Sequence, residues 1–591
     1  MDLLKITMQK LNLFLDSLKR LSLKQTFFLG YNKIIKKKLY PLILYINGIR
    51  RKPKIKTQFA DVINNITGLI GTENIWQAGI NNYLNHSEYY NELKQNIIYY
   101  ADRRDIGVIK GLWNKTEDDV ELNYNYQRFY LFNEIFTELR ISDEIKIELI
   151  LGWINNNTNV KLAWSGFNCA IRLINWMKIL ADIDSTCIST EQWEIIERSI
   201  YLQHKFNKTN IEHHIPGNHV LFQYYSEWLI AIIFSKWVDK YEEKKIFDLL
   251  LTEFNNEFLD SGLHFELSSH YHLQITLIAL YLFIHLQNLN RKIPSKLTSI
   301  INRAVDIVHK FMIGEYYVMI GDSCYNFFHE SKKEDLENLL FLEGRIPKHN
   351  NAGEKLSVLN DQYIILNNKN FHLIFDTGEI GLRQNPGHGH ADILSFILGY
   401  KGEPIFVDPG TKRYSNNISD LELKRSSLHN TISVNNSDQA KLWGFFRWAY
   451  LPNVFACNHE TTSSGSIVLE GSYEGFYDLG GIKHKRRISI GTDDIIIEDN
   501  LKGKIKNLVQ LNFILHPDIK YEEQGQNIIL YNKMNKFIVA DMLGTDVLVE
   551  IEDQLIYDSY NTPTPSKKMV FTYTINSLQS FKSMLSIKVL N

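Results

Sequence analysis

The sequence predicts an α+β protein with more than one domain, in which a helical N-terminal half is followed by an antiparallel β-sandwich. From about residue 60 to 345, apolar residues recur at helical spacing, as in GFNCAIRLINWMKILADI. From about residue 360 the pattern changes to short alternating runs separated by Gly, Asn and Asp, such as NTISVNN and SIVLEGSYEG. A chain of 591 residues is also too long for one hydrophobic core.

Several of the predicted helices are apolar nearly all the way round, which indicates that neighbouring helices cover both faces. This favours layered helical pairs over a simple bundle. Many short strands in succession favour a large antiparallel sandwich. The stretch EGRIPKHNNAGEKLS at 343–357 is the expected linker. We therefore predict a helical extension over 1–60, a helical domain over 61–345 and a β-sandwich domain over 346–591.

The composition is that of an ordinary globular protein, with 44% hydrophobic and 22% charged residues. The net charge of −2 gives no overall attraction to nucleic acid, so we expect no nucleic-acid partner. The four cysteines form no CxxC pair, which favours free thiols in a reducing compartment. The pattern does not indicate an oligomeric state.

We expect a cytoplasmic protein, because the N-terminal stretch alternates apolar and charged residues and lacks the apolar core of a secretory signal. The most apolar run, at 273–286, is too short and interrupted to span a bilayer. The segment 36–56 carries basic clusters on both sides of a short apolar stretch. It could rest on an anionic membrane surface as a peripheral contact, or it could be a solvated helix end.

Two polar clusters stand at the starts of apolar helices. In HHIPGNHVLFQYY, Asn218 and His219 follow a Pro-Gly turn, where an Asn commonly caps a helix. Capping explains Asn218 at least as well as a functional role does. In LDSGLHFELSSHYHLQITL, Glu266, Tyr271 and His272 belong to a group of five polar residues within nine. Such a density makes a functional site as plausible as a satisfied surface.

A third constellation lies in the β half, where NPGHGHADILSF is followed by FVDPGTKRY and KRSSLHNTISVNN. It brings His390, Asp408 and His429 to strands or strand ends of one sheet. Two imidazoles and a carboxylate can give three ligands to zinc and leave a fourth position open. Alternatively, these residues bond to each other and to the turn backbones without a metal.

These motifs together resemble those of the heparinase II/III family of polysaccharide lyases. The resemblance rests on GHGHADILSF, VDPGT with its following Tyr, RSSLHNTISVNNSDQ, WGFFR and the two helix starts, in the family's order. It implies an incomplete (α/α) toroid followed by an antiparallel β-sandwich, with the active site between them. It also implies β-elimination at a uronic acid of an acidic polysaccharide.

The resemblance also implies roles for individual residues. Asn218 and His219 match the positions that bind the substrate carboxylate, and an amide with an imidazole suits that task. Tyr271 and His388 match the catalytic acid and base, in an order that depends on the substrate's stereochemistry. The metal positions match His390, Asp408 and His429, with zinc, or another divalent cation, in a mainly structural role. The glycine-rich turn allows His388 to face the substrate while His390 faces the metal.

A further set of residues could bind the sugar or support the site: Glu266, His272, Arg425, Trp443 and Arg447. Trp443 could stack on a sugar ring, or it could belong to the core. Arg425 could pair with a substrate carboxylate, or it could hold Asp408 or Asp392. The segment LSSHYH departs from the proline that many relatives have before the tyrosine.

Three functions fit this pattern. The leading one is a polysaccharide lyase. A uronyl C5-epimerase would remove the same proton and return one on the opposite face. A glycan-binding protein without turnover is the third, although the presence of Asn218, Tyr271 and His388 argues against a decayed site. The sequence does not distinguish heparan-like, hyaluronan-like, alginate-like and capsular substrates.

Overall fold

The computed structural model describes residues 56–70, 88–104, 111, 113 and most of 119–590. Short gaps within the last range fall at 131, 158–162, 216, 325, 328–329, 332–335, 337–338, 340–341, 346–355, 416, 534 and 544–546. Nearly all of the predicted extension and of the basic segment 36–56, and most of the predicted linker, lie outside the described residues. No helix in the described part of the chain combines the length and apolar character needed to cross a membrane.

The N-terminal half is helical, as the apolar spacing predicts. Its helices are α1 Phe59–Ile70, α2 Glu88–Arg103, α3 Val120–Arg128, α4 Phe132–Glu138, α5 Asp143–Asn156, α6 Gly166–Ala181, α7 Thr190–Thr209, α8 Asn218–Ile233, α9 Lys240–Glu257, α10 Ser269–Asn288 and α11 Ser295–Lys310. Several begin where the sequence supplies a cap. Ser189 and Gln192 form a reciprocal capping box at the start of α7, which satisfies two backbone N–H groups that the helix leaves free.

Helices α8 and α10 are buried on almost every side. Helix α8 packs against α6, α7 and α9, while α10 packs against α1 and α11. This confirms the prediction of layered helices in an incomplete toroid, in which the apolar helices have neighbours on both faces. The two starts that carry polar clusters, at Asn218 and Ser269, therefore belong to deeply buried helices.

The C-terminal half is antiparallel β structure. After two short hairpins, β1 Met312–Ile313 with β2 Tyr316–Tyr317 and β3 Asn326–Phe327 with β4 Glu330–Ser331, one sheet runs in chain order from β5 to β9. Its strands are β5 Leu356–Leu359, β6 Tyr363–Asn367, β7 Phe371–Asp376, β8 Phe396–Tyr400 and β9 Glu403–Phe406.

A second, larger sheet faces the first. Its strands are β10 Ile432–Val434, β13 Asn453–Thr461, β14 Ile467–Gly475, β15 Ile482–Ile490, β16 Asp494–Ile514, β17 Lys520–Gln524, β18 Asn527–Tyr531, β19 Lys536–Asp541, β20 Val547–Ser559 and β21 Thr562–Leu590. The order along it is β13-β14-β15-β16-β21-β19-β18-β17, with β10 on β16 and β20 on β21. Apolar side chains of both sheets share one core, which confirms the predicted sandwich.

The helical half and the sandwich are joined through apolar contacts. The core of the helices continues into the five-stranded sheet through Ile365, Ile374 and Ile397. A separate hairpin, β11 Lys441–Gly444 with β12 Arg447–Tyr450, lies beside the short 3-10 turn Pro386–His388. The junction of the two halves is where the polar motifs of both converge.

A buried ion pair holds the sandwich segments that lead to this junction. Arg486 on β15 pairs with Asp499 on β16 through Nε and Nη2, at 2.8 and 3.0 Å. Its Nη1 donates to the carbonyl oxygens of Leu394 and Asn430. Because both side chains are fully buried, the guanidinium needs all of these acceptors to offset its lost hydration.

We expect Arg486→Met to lower the free energy of unfolding by about 3–5 kcal/mol, because Asp499 would stay buried without its cation. The matched control is Arg487→Met on the same strand, where the arginine forms a surface pair with Glu460. That change should cost less than about 1 kcal/mol. Urea denaturation measures both, and equal effects of the two substitutions would contradict the assigned role of Arg486.

Candidate active site

The first group of site residues comes from the start of α8. The helix begins at Asn218 itself, and the capping position is occupied by Gly217, whose φ is 144°. A Cβ at Gly217 would lie 2.3 Å from Oε1 of Glu266, so a side chain there would clash as well as strain the backbone. The carboxamide of Asn218 is therefore not used as a helix cap. Among the described residues it has no hydrogen-bond partner and is available to a ligand.

Glu266 lies directly behind this helix start. Its Oε1 accepts a hydrogen bond from the backbone N–H of Asn218 at 2.9 Å, and its Oε2 lies 3.7 Å from Nε2 of His388. No described group hydrogen-bonds to Oε2. Burial raises the pKa of Glu266, against the lowering effect of His388 and of the Asn218 N–H. This carboxyl group is accordingly easier to protonate than an exposed one.

His219 follows Asn218 on the first turn of α8. Its ring stacks on Phe167 with a centroid distance of 3.8 Å and an interplanar angle of 5°. Its Nδ1 lies 2.8 Å from Oε2 of Glu212 and donates to it. Burial alone would raise the pKa of the Glu212 carboxylate. The hydrogen bond and charge of His219, the N–H of Phe167 and the charge of His214 together hold that pKa below its usual range. These contacts fix the plane of the imidazole and use its Nδ1, so that Nε2 is the ring nitrogen left to bind a ligand.

Tyr271 and His388 come together from the two halves of the protein. Tyr271 lies in the first turn of α10, and His388 ends the 3-10 turn Pro386–His388. Their ring centroids are 4.1 Å apart at an angle of 38°. Burial raises the pKa of Tyr271 well above its usual range, so the phenol is a neutral hydrogen-bond donor at physiological pH.

A chain of hydrogen bonds supports Tyr271. Its hydroxyl lies 3.1 Å from the hydroxyl of Tyr414. The backbone N–H of Tyr414 donates to the hydroxyl of Tyr560 at 2.8 Å, and Tyr560 in turn donates to Asp119. Asp119 also caps α3 by accepting from the N–H groups of Glu121 and Leu122. The tyrosine is thereby connected through the sandwich back to the helical half.

The two histidines of the HGH motif occupy different surroundings. His388 is partly exposed, whereas His390 is fully buried. Oδ2 of Asp322 lies 3.0 Å from Nδ1 of His388, and Oδ1 lies 3.0 Å from Nε2 of His390. The two rings have different neighbours, since that of His388 lies 4.1 Å from the ring of Tyr271 and that of His390 lies 5.2 Å from the ring of His429, measured between centroids. Both nevertheless bond to the same carboxylate.

His390, Asp408 and His429 form a buried cluster whose ligand atoms lie within 4.8 Å of one another. His429 directs Nε2 to the carbonyl of Leu423 at 3.0 Å and Nδ1 to Oδ2 of Asp408 at 2.8 Å. Nδ1 of His390 is buried and has no hydrogen-bond partner among the described residues. The donor set and this unpartnered nitrogen fit a divalent cation, because each imidazole has its other nitrogen held by an acceptor.

Three predicted residues have other surroundings than expected. His272 is fully buried; its Nδ1 accepts from the backbone N–H of His264, and its Nε2 lies 2.9 Å from the carbonyl of Ala304. Burial lowers the pKa of His272 to about 4. His272 thus braces α10 against the neighbouring backbone, which fits the supporting role that the sequence allowed and not direct binding of a sugar.

Arg425 pairs with Asp438 at 3.1 Å, and not with Asp408 or Asp392 as the alternative interpretation expected. Trp443 lies under the guanidinium of Arg447, with 5.2 Å from Cζ to the ring centroid. The aromatic residue that faces the site from this hairpin is Phe446. Its ring is 5.7 Å from that of His388, and 43% of the residue is exposed.

Sequence reasoning missed Asp322, Lys424 and Glu212 and gave Tyr414 no role. Asp322 lies in VMIGDSC, where one carboxylate follows an apolar run. A charged residue that interrupts such a run is a signal for a buried, paired group. Lys424 is fully buried and donates to Oδ1 of Asp322 at 2.9 Å and to the carbonyl of Gly387 at 2.8 Å.

A helical layer before an antiparallel sandwich places the chain in the fold class of the solved heparinase structures. Two family models match most of the chain. The model of the heparinase II/III N-terminus matches residues 86–340, and the model of the heparinase II/III-like C-terminal domain matches residues 357–583. The chain belongs to the heparinase II/III-like family.

Individual relatives give the same picture. A heparin-sulfate lyase from Bacteroides thetaiotaomicron is 21% identical over 496 residues, which is 73% of this chain and 66% of that protein. The crystal structure of heparinase III matches with a TM-score of 0.67 and 15% identity, over 92% of this chain and 94% of that one. The crystal structure of heparan sulfate lyase HepC from Pedobacter heparinus matches with a TM-score of 0.55 and 13% identity, over 97% of this chain and 92% of that one. These structures confirm the predicted fold.

Proposed function

We propose that the protein is a polysaccharide lyase that cleaves a uronic-acid-containing polysaccharide by β-elimination. The observation that carries the proposal is the Tyr271–His388 pair, a neutral phenol and an imidazole whose ring centroids lie 4.1 Å apart. Glu266 lies next to His388 and bonds to the start of α8 at Asn218. Membership of the heparinase II/III-like family supports the enzyme class. The curated relative and HepC are lyases by name.

The first requirement of the reaction is to offset the negative charge of the uronate carboxylate. Otherwise the adjacent C5 proton is too weakly acidic to be removed. The carboxamide of Asn218 and the second nitrogen of His219 supply hydrogen bonds to the carboxylate oxygens. Glu266, whose pKa burial raises, adds a donor when it is protonated. Asn218 and His219 share the first turn of α8, and Glu266 accepts from the N–H of Asn218, so the three groups can converge on one carboxylate.

Proton transfer follows. His388 donates through Nδ1 to Asp322, which leaves its Nε2 as the base for the C5 proton. The electrons of the broken C5–H bond form the C4–C5 double bond, and the C4–O bond breaks. Tyr271 gives its proton to the departing glycosidic oxygen. Its raised pKa suits an acid toward an alkoxide better than a base toward carbon.

We further propose that His390, Asp408 and His429 hold a zinc ion, or another divalent cation, in a mainly structural role. A bound cation would supply positive charge that fixes these three side chains beneath the reacting pair. His390 is two residues from His388 in the chain, so the metal ligand and the base share one turn. The chemistry of proton transfer remains with Tyr271 and His388.

We propose Phe446, rather than Trp443, as the aromatic surface for a sugar ring. The two neighbouring phenylalanines of the hairpin turn point in different directions. Phe445 is buried against Tyr414 with centroids 5.1 Å apart, and Lys424 Nζ lies 4.4 Å from its centroid. Phe446 is left exposed beside His388 and Tyr414. An apolar ring face next to the reacting groups can stack on the less polar face of a pyranose.

The names of the relatives make heparan sulfate the first substrate to test. Proton NMR of the protein in D2O with heparan sulfate, chondroitin sulfate, hyaluronan and alginate decides the reaction. A new C4–C5 alkene signal is the expected result. Deuterium at C5 without an alkene would instead establish the epimerase, and no change with any of the four would contradict the proposed reaction.

We expect Tyr271→Phe to lower kcat by about 10²–10⁴-fold, because the acid for the leaving oxygen is lost. Binding of the oligosaccharide should stay within a few-fold, since the ring remains. The matched control is Tyr363→Phe, which removes a buried tyrosine hydroxyl that bonds only to the carbonyl of Leu267 in the described chain. Alkene absorbance measures turnover. Retention of activity by Tyr271→Phe would remove this residue from the chemistry.

We expect His390→Ala to lower both the metal content and Tm, because the cluster loses one of its three ligands. Elemental analysis of the purified protein and thermal unfolding measure the two quantities. His459→Ala, at an exposed position on β13, serves as the control and should change neither. If His390→Ala changes neither quantity, the metal proposal is wrong.

We expect Phe446→Ala to raise KM for the polysaccharide about 3- to 10-fold with a smaller change in kcat, because an aromatic contact of this size is lost. Phe446→Trp should retain most of the affinity. Phe455→Ala, at a second exposed phenylalanine on β13, is the control. Equal KM values for Phe446→Ala and the parent protein would exclude stacking at this position.

A further inference from the structure

The carboxylate of Asp322 lies between the proposed base and the proposed metal site. It is fully buried, and both of its oxygens are in use. Oδ2 faces Nδ1 of His388, and Oδ1 faces Nε2 of His390 and Nζ of Lys424. The backbone N–H of Asp322 also donates to the carbonyl of His388 at 2.8 Å. One residue of the helical half thus contacts both histidines of the HGH turn.

An ionised carboxylate only accepts hydrogen bonds, so the contacts decide where each neutral imidazole carries its proton. His388 must carry it on Nδ1, which leaves the lone pair on Nε2 facing Glu266 and the junction. His390 must carry it on Nε2, which leaves the lone pair on Nδ1. That nitrogen is the buried atom without a hydrogen-bond partner in the described chain, within the cluster with Asp408 and His429.

Lys424 places a positive charge beside the carboxylate of Asp322 in this buried position. Its ammonium group lies 2.9 Å from Oδ1 of Asp322 and is also held by the carbonyl of Gly387. The same 3-10 turn, Glu422–Lys424, gives the Leu423 carbonyl that accepts from Nε2 of His429. The acceptors that orient His390 and His429 are therefore linked to each other, because Asp322 is paired with Lys424 and the Leu423 carbonyl belongs to the preceding residue.

We propose that Asp322 is a positioning residue shared by the proposed base and the proposed metal site. It sets the tautomer of His388 for proton abstraction and the tautomer of His390 for cation binding. This inference rests on the proposed function: its catalytic part on the proposed reaction and its metal part on the proposed cation site. The metal part is measured without any substrate. Removing the acceptor of a ligating histidine typically costs 10- to 100-fold in metal affinity.

The test is Asp322→Asn, which keeps the size of the side chain but provides a single acceptor oxygen. The amide nitrogen cannot accept from an imidazole N–H, so at least one of the two histidines loses its partner. We expect affinity for Zn²⁺ to fall about 10- to 100-fold, measured by competition with a chromophoric chelator. We expect kcat on heparan sulfate to fall about 10³–10⁴-fold while KM stays within about threefold.

Asp499→Asn is the matched control, because Asp499 is also a fully buried carboxylate between a cation and an imidazole, those of Arg486 and His484. It should lower Tm but leave Zn²⁺ affinity and kcat within about threefold of the parent protein. If Asp499→Asn lowers them as much as Asp322→Asn does, the effect is general destabilisation, and the proposal fails. It also fails if Asp322→Asn lowers neither quantity, or if the one quantity that Asp322→Asn leaves unchanged is also unchanged in Asp322→Glu.

If Asp322→Asn does not fold, Asp322→Glu tests the shared positioning role of Asp322 instead. It keeps the negative charge beside Lys424 but moves the carboxylate by one methylene, so both quantities should fall by about tenfold or more. Unchanged values would overturn the proposal. If the parent protein is inactive on all four polysaccharides, the proposed function fails. The Zn²⁺ measurements then still test whether Asp322 orients His390.

Discussion

The buried ion pair between Asp322 and Lys424 is the contact on which the geometry of the site depends. Asp322 belongs to the end of the helical half and Lys424 to the sandwich, so the pair crosses the junction. Neither charge could be buried there without the other, and the two imidazoles use the remaining acceptor capacity of the carboxylate. The orientation of the proposed catalytic pair and that of the proposed metal cluster are therefore consequences of how the two halves dock.

The fold could be predicted from the sequence because burial follows local periodicity. Helices such as α8 and α10 are apolar on every side and are covered on every side, and the alternating runs after residue 360 form the two sheets. The family is confirmed by models that match both halves. The proposed domain boundaries stay predictions, since most of the linker lies outside the described residues.

The site was predictable only where its residues cluster along the chain. Tyr271 and Glu266 share one segment, and His388 and His390 share another. Asp322 lies 66 and 68 residues from the two histidines it contacts, and no local pattern connects them. The sequence left two partners open for Arg425, a substrate carboxylate or one of Asp408 and Asp392. The buried carboxylate at the junction, Asp322, is instead paired with the neighbouring Lys424, whereas Arg425 follows the 3-10 turn Glu422–Lys424 and pairs with Asp438.

The hydrogen-bond chain from Asp119 through Tyr560 and Tyr414 to Tyr271 ties the start of α3 to the turn before the last strand. Its members are far apart in sequence but act as one support. A substitution at Asp119 or Tyr560 would therefore reach Tyr271 although neither residue touches it. The helical half and the sandwich of this chain are matched by hydrogen bonding as well as by shape.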